Sequence, residues 1–400
     1  MGLNDTPSSE RVHIAFFGKR NAGKSSAVNA VTNQNLSVVS EVKGTTTDPV
    51  YKSMELLPVG PVMIIDTPGI DDEGSLGQLR INKAHEVLNK TDVAVLIVDS
   101  SSGLSDDDNM IINLFKDKRI NYITVYSKAD KLASIPEASD NEIYISSVTG
   151  LNIDALKNMI AAAAKKEESD KRIIGHLLCP EDIVILVVPV DSAAPKGRLI
   201  LPQQQTIRDI LDSNATAFVV QTPQLESALS SLSKKSRLII TDSQAFAEVS
   251  KIAPEDIDLT SFSILFANYK GILSPAVKGA NSLSELKNGD KVLIAEGCTH
   301  HRQCNDIGTV KLPALIEKYT GVKPEYEFTS GGGFPSELSG YKMIIHCGGC
   351  MLNDREVQHR CQRAEKAGIP FTNYGVVISF MNGILKRTLK VFPDIYDLLK

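Results

Sequence analysis

The sequence predicts an α/β protein built on mainly parallel, doubly wound sheets in three consecutive parts. Three observations predict it. Residues 12 to 160 alternate short β-rich apolar runs with helical stretches, a βαβα rhythm. The rhythm restarts at 183 and again near 262. At 400 residues the chain also exceeds the size at which one core keeps growing, so two or three domains are expected.

In chain order the first part reads VHIAFFG, a helix over Lys24 to Val31, VMIIDTPG, a helix near Leu79 to Leu88, VAVLIVD, a helix near Asp107 to Phe115, YITVYS and EIYISS. The stretch AAAAKKEESDKRIIG begins as a good helix and ends in charge, so it reads as a last helix running into a linker. The second part has IVILVVPV, a helix after Pro202, TAFVVQ, a helix near Gln224 to Leu232, RLIITD and a helix near Ser243 to Lys251. The third opens on FSILFAN and continues with a helical SLSELKNGD, KVLIAEG, a helix at Thr309 to Tyr319, a glycine-rich loop, YKMIIHCGG and a helix at Asp354 to Ala367. The expected domains are 1–172, 180–260 and 262–400. No repeat of fixed period and no low-complexity tract interrupts them.

A net charge of −5 offers no global attraction to phosphate backbones, so no nucleic acid partner is expected. The longest apolar run, Ile183 to Val190, is too short to span a bilayer, and no membrane association is expected. The first residues lack the basic, apolar and small-residue order of a secretory signal, so a cytoplasmic location is expected. In that reducing compartment the six cysteines read as buried thiols or metal ligands rather than disulfides.

Gly18-Lys19-Arg20-Asn21-Ala22-Gly23-Lys24-Ser25 matches GxxxxGK[ST] directly after an apolar strand and at the start of a helix, the context a phosphate loop needs. Main-chain N–H groups of Asn21, Ala22, Gly23, Lys24, Ser25 and Ser26 face the phosphates, Lys24 bridges the β- and γ-phosphates, and the Ser25 hydroxyl ligates Mg²⁺. Asp66-Thr67-Pro68-Gly69 ends a second apolar strand. It puts the Asp66 carboxylate beside the Mg²⁺ shell and the Gly69 N–H where a γ-phosphate sits. Between them, in Gly44-Thr45-Thr46-Thr47-Asp48, Thr46 is the hydroxyl expected to reach Mg²⁺ when the γ-phosphate is present. Lys24, Thr46 and Gly69 are the expected catalytic group.

Ser127-Lys128-Ala129-Asp130 follows another strand, where Asp130 accepts from the two guanine-edge donors that adenine lacks. The bound nucleotides are therefore GTP and GDP. Lys128 belongs to the same segment. Ser127 stands where asparagine is usual; being shorter, it cannot make the same tie back to the phosphate loop, which bears on the tightness of guanine binding more than on its identity. Ser146-Ser147 suits the last base-contacting turn and equally suits ordinary turn chemistry.

These motifs resemble the tRNA-modification and Era type of G proteins, with a loop GxxNxGKS and a switch GxTxD, over residues 10 to 165. The resemblance implies a P-loop GTPase domain in which Asn21 helps hold a K⁺ ion against the phosphates. Ile70, after the DTPG segment, cannot orient the attacking water by hydrogen bonding, so hydrolysis is expected to be slow and K⁺-stimulated.

The second signal is Cys298-Thr299-His300 after KVLIA and, after 45 intervening residues, His346-Cys347-Gly348-Gly349-Cys350 after YKMII. Three cysteines at two strand ends can converge on one point. They read as small buried hydrophobes or a redox pair, as a closed zinc site of Cys298, His300, Cys347 and Cys350, or as an iron–sulfur site whose fourth iron takes a histidine, an oxygen ligand or an exchangeable group. His300 and His346 lie near in sequence as ligands or as groups that orient ligands. Cys304 reads as a spectator, Cys179 and Cys361 as structural. Asp191, in PVDSAAPKGRLILPQQQ, is an oxygen donor candidate or a surface turn carboxylate.

CxH followed by HCxxC, together with EGCTHHRQCNDIG, TSGGGFP and HCGGCM, resembles the HydF family of FeFe-hydrogenase maturation GTPases along the whole chain. The resemblance implies an N-terminal GTPase domain, a middle α/β dimerisation domain and a C-terminal α/β domain that binds a 4Fe-4S cluster through Cys298, Cys347 and Cys350. It implies a scaffold that takes a transient diiron precursor from radical-SAM maturation enzymes and delivers it to apo FeFe-hydrogenase. It further implies a homodimer, with a tetramer as the larger assembly. The competing expectation is an RNA- or ribosome-associated GTPase with a structural zinc domain. That reading needs a basic, aromatic-interleaved face, which 6% aromatic content and an acidic balance disfavour.

Overall fold

The computed structural model describes residues 6–34, 48–69, 83–164, 171–189, 199–297 and 306–397. Contacts divide the chain into two units, Met1–Ser169 and Asp170–Lys400.

In the first unit five strands run parallel: β1 (Val12–Gly18), β3 (Gly60–Asp66), β4 (Val93–Asp99), β5 (Asn121–Ser127) and β6 (Glu142–Tyr144). β2 (Val50–Leu56) pairs antiparallel to β3 at one edge, giving the order β2-β3-β1-β4-β5-β6. Strands covered on both faces read as continuous apolar runs, and β1 shows why. Ile14 and Phe16 enter one core cluster while Ala15 and Phe17 enter the other, on the opposite face. The parallel register sets Phe16 beside Asp66 and Asp99 beside Ser127, so the chemistry-bearing residues of β3, β4 and β5 collect at one edge of the sheet.

The second unit holds two all-parallel sheets of four strands. One has the order β10-β9-β7-β8, from β7 (Ile183–Val187), β8 (Thr216–Val220), β9 (Leu238–Thr241) and β10 (Asp258–Ser261). The other has the order β12-β11-β13-β14, from β11 (Lys291–Ala295), β12 (Glu325–Thr329), β13 (Met343–His346) and β14 (Phe371–Asn373). A single apolar cluster joins them, with Val184 to Val187 of the first sheet and Leu293, Ala295 and Ile344 of the second among its members. The chain is thus α/β throughout.

Two local assignments differ from the sequence pattern. FSILFAN is helical, Phe262–Tyr269, started by the Ser261 hydroxyl, which accepts the Ile264 N–H at 3.2 Å. It follows directly on β10, a strand with no apolar run to announce it. SLSELKNGD makes one 3-10 turn, Ser282–Glu285, and then stops. Gly289 at φ +81° and the Asp290 carboxylate, accepting from the Lys287 N–H at 2.8 Å, fold its end into a turn.

Candidate functional site

The loop after β1 leads into the helix Lys24–Thr32, with Asn21 at φ 62° and Gly23 at φ 88°. Gly18 is required at the strand end, because a Cβ there would lie 2.5 Å from the Ile97 carbonyl oxygen of the neighbouring strand. Ala22 is buried, and a Cβ on Gly23 would meet the Ser127 hydroxyl at 3.0 Å, so small residues let β5 approach the loop.

That approach lets the shorter Ser127 reach the loop. Its buried hydroxyl donates to the Ala22 carbonyl, a tie of its own to the phosphate loop. Lys128 adds two more ties, donating to the Asn21 carbonyl at 2.6 Å and to Asp99 Oδ2 at 2.7 Å. The Lys128 ammonium first and the Ser101 hydroxyl second hold the Asp99 carboxyl down to about 2. Asp130 is exposed, and Ser146 Oγ donates to its Oδ1 at 2.5 Å. Ser146 Oγ in turn accepts the N–H groups of Val148 and Thr149, both at 3.2 Å. Ser146 therefore serves both as a turn residue and as the group that orients the Asp130 carboxylate, while Ser147 sits beside it in the same turn.

Lys24 Nζ donates to Asp66 Oδ1, so the phosphate-loop lysine and the candidate Mg²⁺ carboxylate are paired with each other. Ser25 and Ser26 follow Lys24 in the first turn of the same helix. Thr67, absent from the sequence expectations, pins the segment that carries Gly69, its hydroxyl donating to the Phe16 carbonyl at 2.7 Å. A buried threonine inside a motif known for its flanking Asp and Gly carries no separate sequence signal. Thr46 and Ile70 lie outside the described residues, as do Asp191, Cys298, His300 and Cys304.

At the end of β13, Cys347 Sγ accepts the N–H groups of Gly297 at 3.0 Å and Gly349 at 3.3 Å. Gly297 follows β11, so parallel register brings the two strand ends together: Ala295 stands opposite His346, and the Cys347 N–H donates to the Ala295 carbonyl at 2.9 Å. Glycines are needed here, because a Cβ on Gly297 would lie 2.8 Å from Leu352 Cγ and one on Gly349, at φ +63°, would lie 2.9 Å from Val357 Cγ2. Burial pushes both thiols up, Cys350 to about 11. Such sites favour neutral thiols until a cation replaces the proton. Backbone N–H groups aimed at sulfur suit a thiolate held by iron–sulfur chemistry. Among the described residues no group of three or more His, Cys, Asp or Glu side chains is placed to hold a metal ion.

His346 is engaged on both ring nitrogens in this arrangement. Its fully buried ring bonds the Cys347 carbonyl through Nδ1 at 2.7 Å and Arg360 Nη1 through Nε2 at 3.3 Å. Guanidinium only donates, so Nε2 accepts and the proton sits on Nδ1. Burial, reinforced by Arg360, lowers the imidazole pKa to about 3. Both nitrogens are thus engaged, and the ring holds the Cys347 peptide. Glu296, between β11 and Gly297, takes a hydrogen bond from the Tyr374 hydroxyl at 3.2 Å, and its charge acts on Cys347. Lys270 reaches the same loop; its signal in sequence was one lysine after an apolar run. Cys361 is buried as expected of a structural thiol, whereas Cys179 is exposed, against the expectation of burial.

Comparison with known proteins follows this division. Residues 13–128 match the model of the 50S ribosome-binding GTPase family. Over 156 residues the chain is 31% identical to the tRNA modification GTPase MnmE of Thiobacillus denitrificans, covering 39% of this chain and 34% of that protein. Over 176 residues it is 29% identical to the GTPase Der of Kosmotoga olearia, covering 39% of this chain and 40% of that protein. The chain thus spans less than half the length of these curated relatives. A crystal structure of a point variant of Aquifex aeolicus Era bound to GDP.AlF4- aligns with 52% of this chain and 93% of its own at 20% identity and a TM-score of 0.35. Residues 173–271 match the hydrogen maturase F dimerization domain and residues 274–391 its tetramerization domain, together more than half of the chain. The chain belongs to the hydrogen maturase F family.

Proposed function

We propose that this protein is a GTP-hydrolysing scaffold of FeFe-hydrogenase maturation, which carries a 4Fe-4S cluster and a transient diiron precursor for delivery to apo-hydrogenase. The observation that carries the reading is Cys347, whose sulfur takes two main-chain N–H groups where two strand ends meet, in a chain that also has a phosphate loop. Residues 1–172 would form the GTPase domain, 180–260 the dimerisation domain and 262–400 the cluster domain.

In the first, nucleotide binding exchanges the Lys24–Asp66 pair for new partners. Lys24 turns to the β- and γ-phosphates and Asp66, with Ser25 and Thr46, to Mg²⁺, while the N–H groups of Asn21 to Ser26 take phosphate oxygens. Asp130, set by Ser146 and flanked by Lys128 and Ser147, reads the guanine edge. Water attacks the γ-phosphorus and the bond to the bridging oxygen breaks; Lys24 and the Gly69 N–H meet the charge that develops. Bound Mg²⁺, and K⁺ held with the help of Asn21, supply further positive charge there. Hydrolysis that is slow, and faster in KCl than in NaCl, is expected.

In the third domain Cys347 and Cys350, with Cys298, would hold the cluster, whose chemistry is electron storage and an iron site open to exchange. With the His346 ring engaged, an oxygen ligand is the better fit for that fourth position, and Glu296, whose charge acts on Cys347, is one candidate. His300 and Asp191 remain the other candidates. The proposed partners are the radical-SAM maturation enzymes, apo-hydrogenase and a second copy of this chain. Transfer of a labelled diiron precursor from the loaded protein to apo-hydrogenase, with hydrogenase activity as the readout, tests the reading. Loaded protein that never activates the apo-enzyme would sink it.

A further inference from the structure

Lys270 is 3% exposed, a rare place for an ammonium. It follows the helix Phe262–Tyr269, and its main chain is clamped there: its N–H donates to the Phe266 carbonyl at 2.9 Å, and its carbonyl accepts from Gln358 Nε2 at 3.0 Å. The side chain runs to the cysteine loop. Nζ donates to the Gly349 carbonyl at 3.0 Å and the Leu352 carbonyl at 2.6 Å, with Asp354 Oδ1 at 3.8 Å. The two carbonyls take hydrogen bonds from the ammonium, and the Asp354 carboxylate stands at ion-pair distance. Asp354 is shared with Lys171, whose Nζ donates to Oδ2 at 2.5 Å.

A neutral donor could bridge two carbonyls without the cost of burying a charge. What the charge adds is its action on the sulfurs: Lys270 and the two loop cysteines interact electrostatically, and Lys270 opposes the upward push that burial gives Cys350. Asp354 partly offsets it, Glu296 adds negative charge beside Cys347, and Arg360 adds a second positive one. One cation therefore has two effects on this loop. It fixes the peptide carbonyls at Gly349 and Leu352, one inside and one just after the Cys347–Cys350 pair, and it favours negative charge at the thiolates.

We infer that Lys270 is the positioning residue and counter-charge of the Cys347–Cys350 loop, setting both the hold on iron and the ease of reducing the cluster. The inference rests on the iron–sulfur reading above. It predicts that removing the charge makes electron uptake harder, because a fixed cation near the cluster stabilises the added electron.

The test uses the full chain, reconstituted anaerobically with iron and sulfide, as wild type, Lys270→Gln and Lys270→Met. Gln keeps a donor without the charge, and Met keeps neither. Iron and sulfide per chain are measured alongside the midpoint potential from an EPR-monitored redox titration. Lys270→Gln is expected to retain most of its iron with a midpoint shifted to more negative potential. Lys270→Met is expected to show the same shift and to lose half or more of its iron. A wild-type cluster whose midpoint is unchanged in Lys270→Gln and in whatever cluster Lys270→Met retains would overturn this inference alone. Wild-type protein that takes up no iron and sulfide would overturn the iron–sulfur reading, and this inference with it.

Discussion

Ser127 donates its hydroxyl to the main-chain carbonyl of Ala22, tying the strand that leads to Asp130 onto the phosphate loop. Removing it leaves a carbonyl without its partner in a buried place, at a cost of about 1–3 kcal/mol. Ser127→Ala is therefore expected to weaken GDP binding about tenfold, measured by titration calorimetry. Unchanged affinity would show that the tie does not position the loop for nucleotide.

Asp130 presents a carboxylate oriented by Ser146. Guanine offers two donors to it, whereas xanthine has a carbonyl oxygen in place of the amino group. Asp130→Asn presents an amide donor and is expected to move preference from GTP to XTP, read by competition with a fluorescent nucleotide. Ser146→Ala keeps the preference but weakens binding, because the carboxylate loses its orientation.

Asp99 is held down to about 2 from an ordinary 3.8, chiefly by the Lys128 hydrogen bond. A folded value below the unfolded one means that the stabilisation is complete above the unfolded value and is lost as pH falls through the folded one. The window therefore runs from about 4 down to about 2. In Lys128→Met the Asp99 carboxyl is expected to titrate nearer 3.8, seen by carboxyl NMR, and that part of the acid destabilisation disappears. An Asp99 midpoint still near 2 would assign the shift to Ser101 instead.

β8 is an edge strand in the segment matched to the dimerization domain, with Phe218 40% and Val219 45% exposed. An open strand edge with apolar side chains is a pairing surface. Val219→Asp is expected to shift the protein toward monomer in light scattering after size exclusion. A variant that stays assembled would move the interface off this edge.

Much of this was legible in the sequence, and the exceptions have physical causes. β1, β4 and β5 are covered on both faces, so their apolar runs announce them, and the loop at Gly18–Ser25 and the carboxylates Asp66 and Asp130 sit where strand ends put them. FSILFAN was not legible as a helix, because an all-apolar run of that length has no period to read. The Ser127 tie was not legible because its reach depends on how closely Ala22 and Gly23 let β5 approach, a packing fact. His346 and Lys270 share the same cause. Adjacency to a cysteine says nothing of which groups the folded loop brings to a ring nitrogen or an ammonium, and Arg360 and Leu352 come from outside the motif.

The most direct test of the central claim is metal and acid-labile sulfide analysis of anaerobically reconstituted protein, with the EPR spectrum of the dithionite-reduced sample and a Cys347→Ser control. The account predicts about four irons and four sulfides per chain and a reduced-cluster signal that Cys347→Ser weakens or abolishes. Stoichiometric zinc without sulfide would contradict it, leaving the GTPase domain standing beside a structural zinc site.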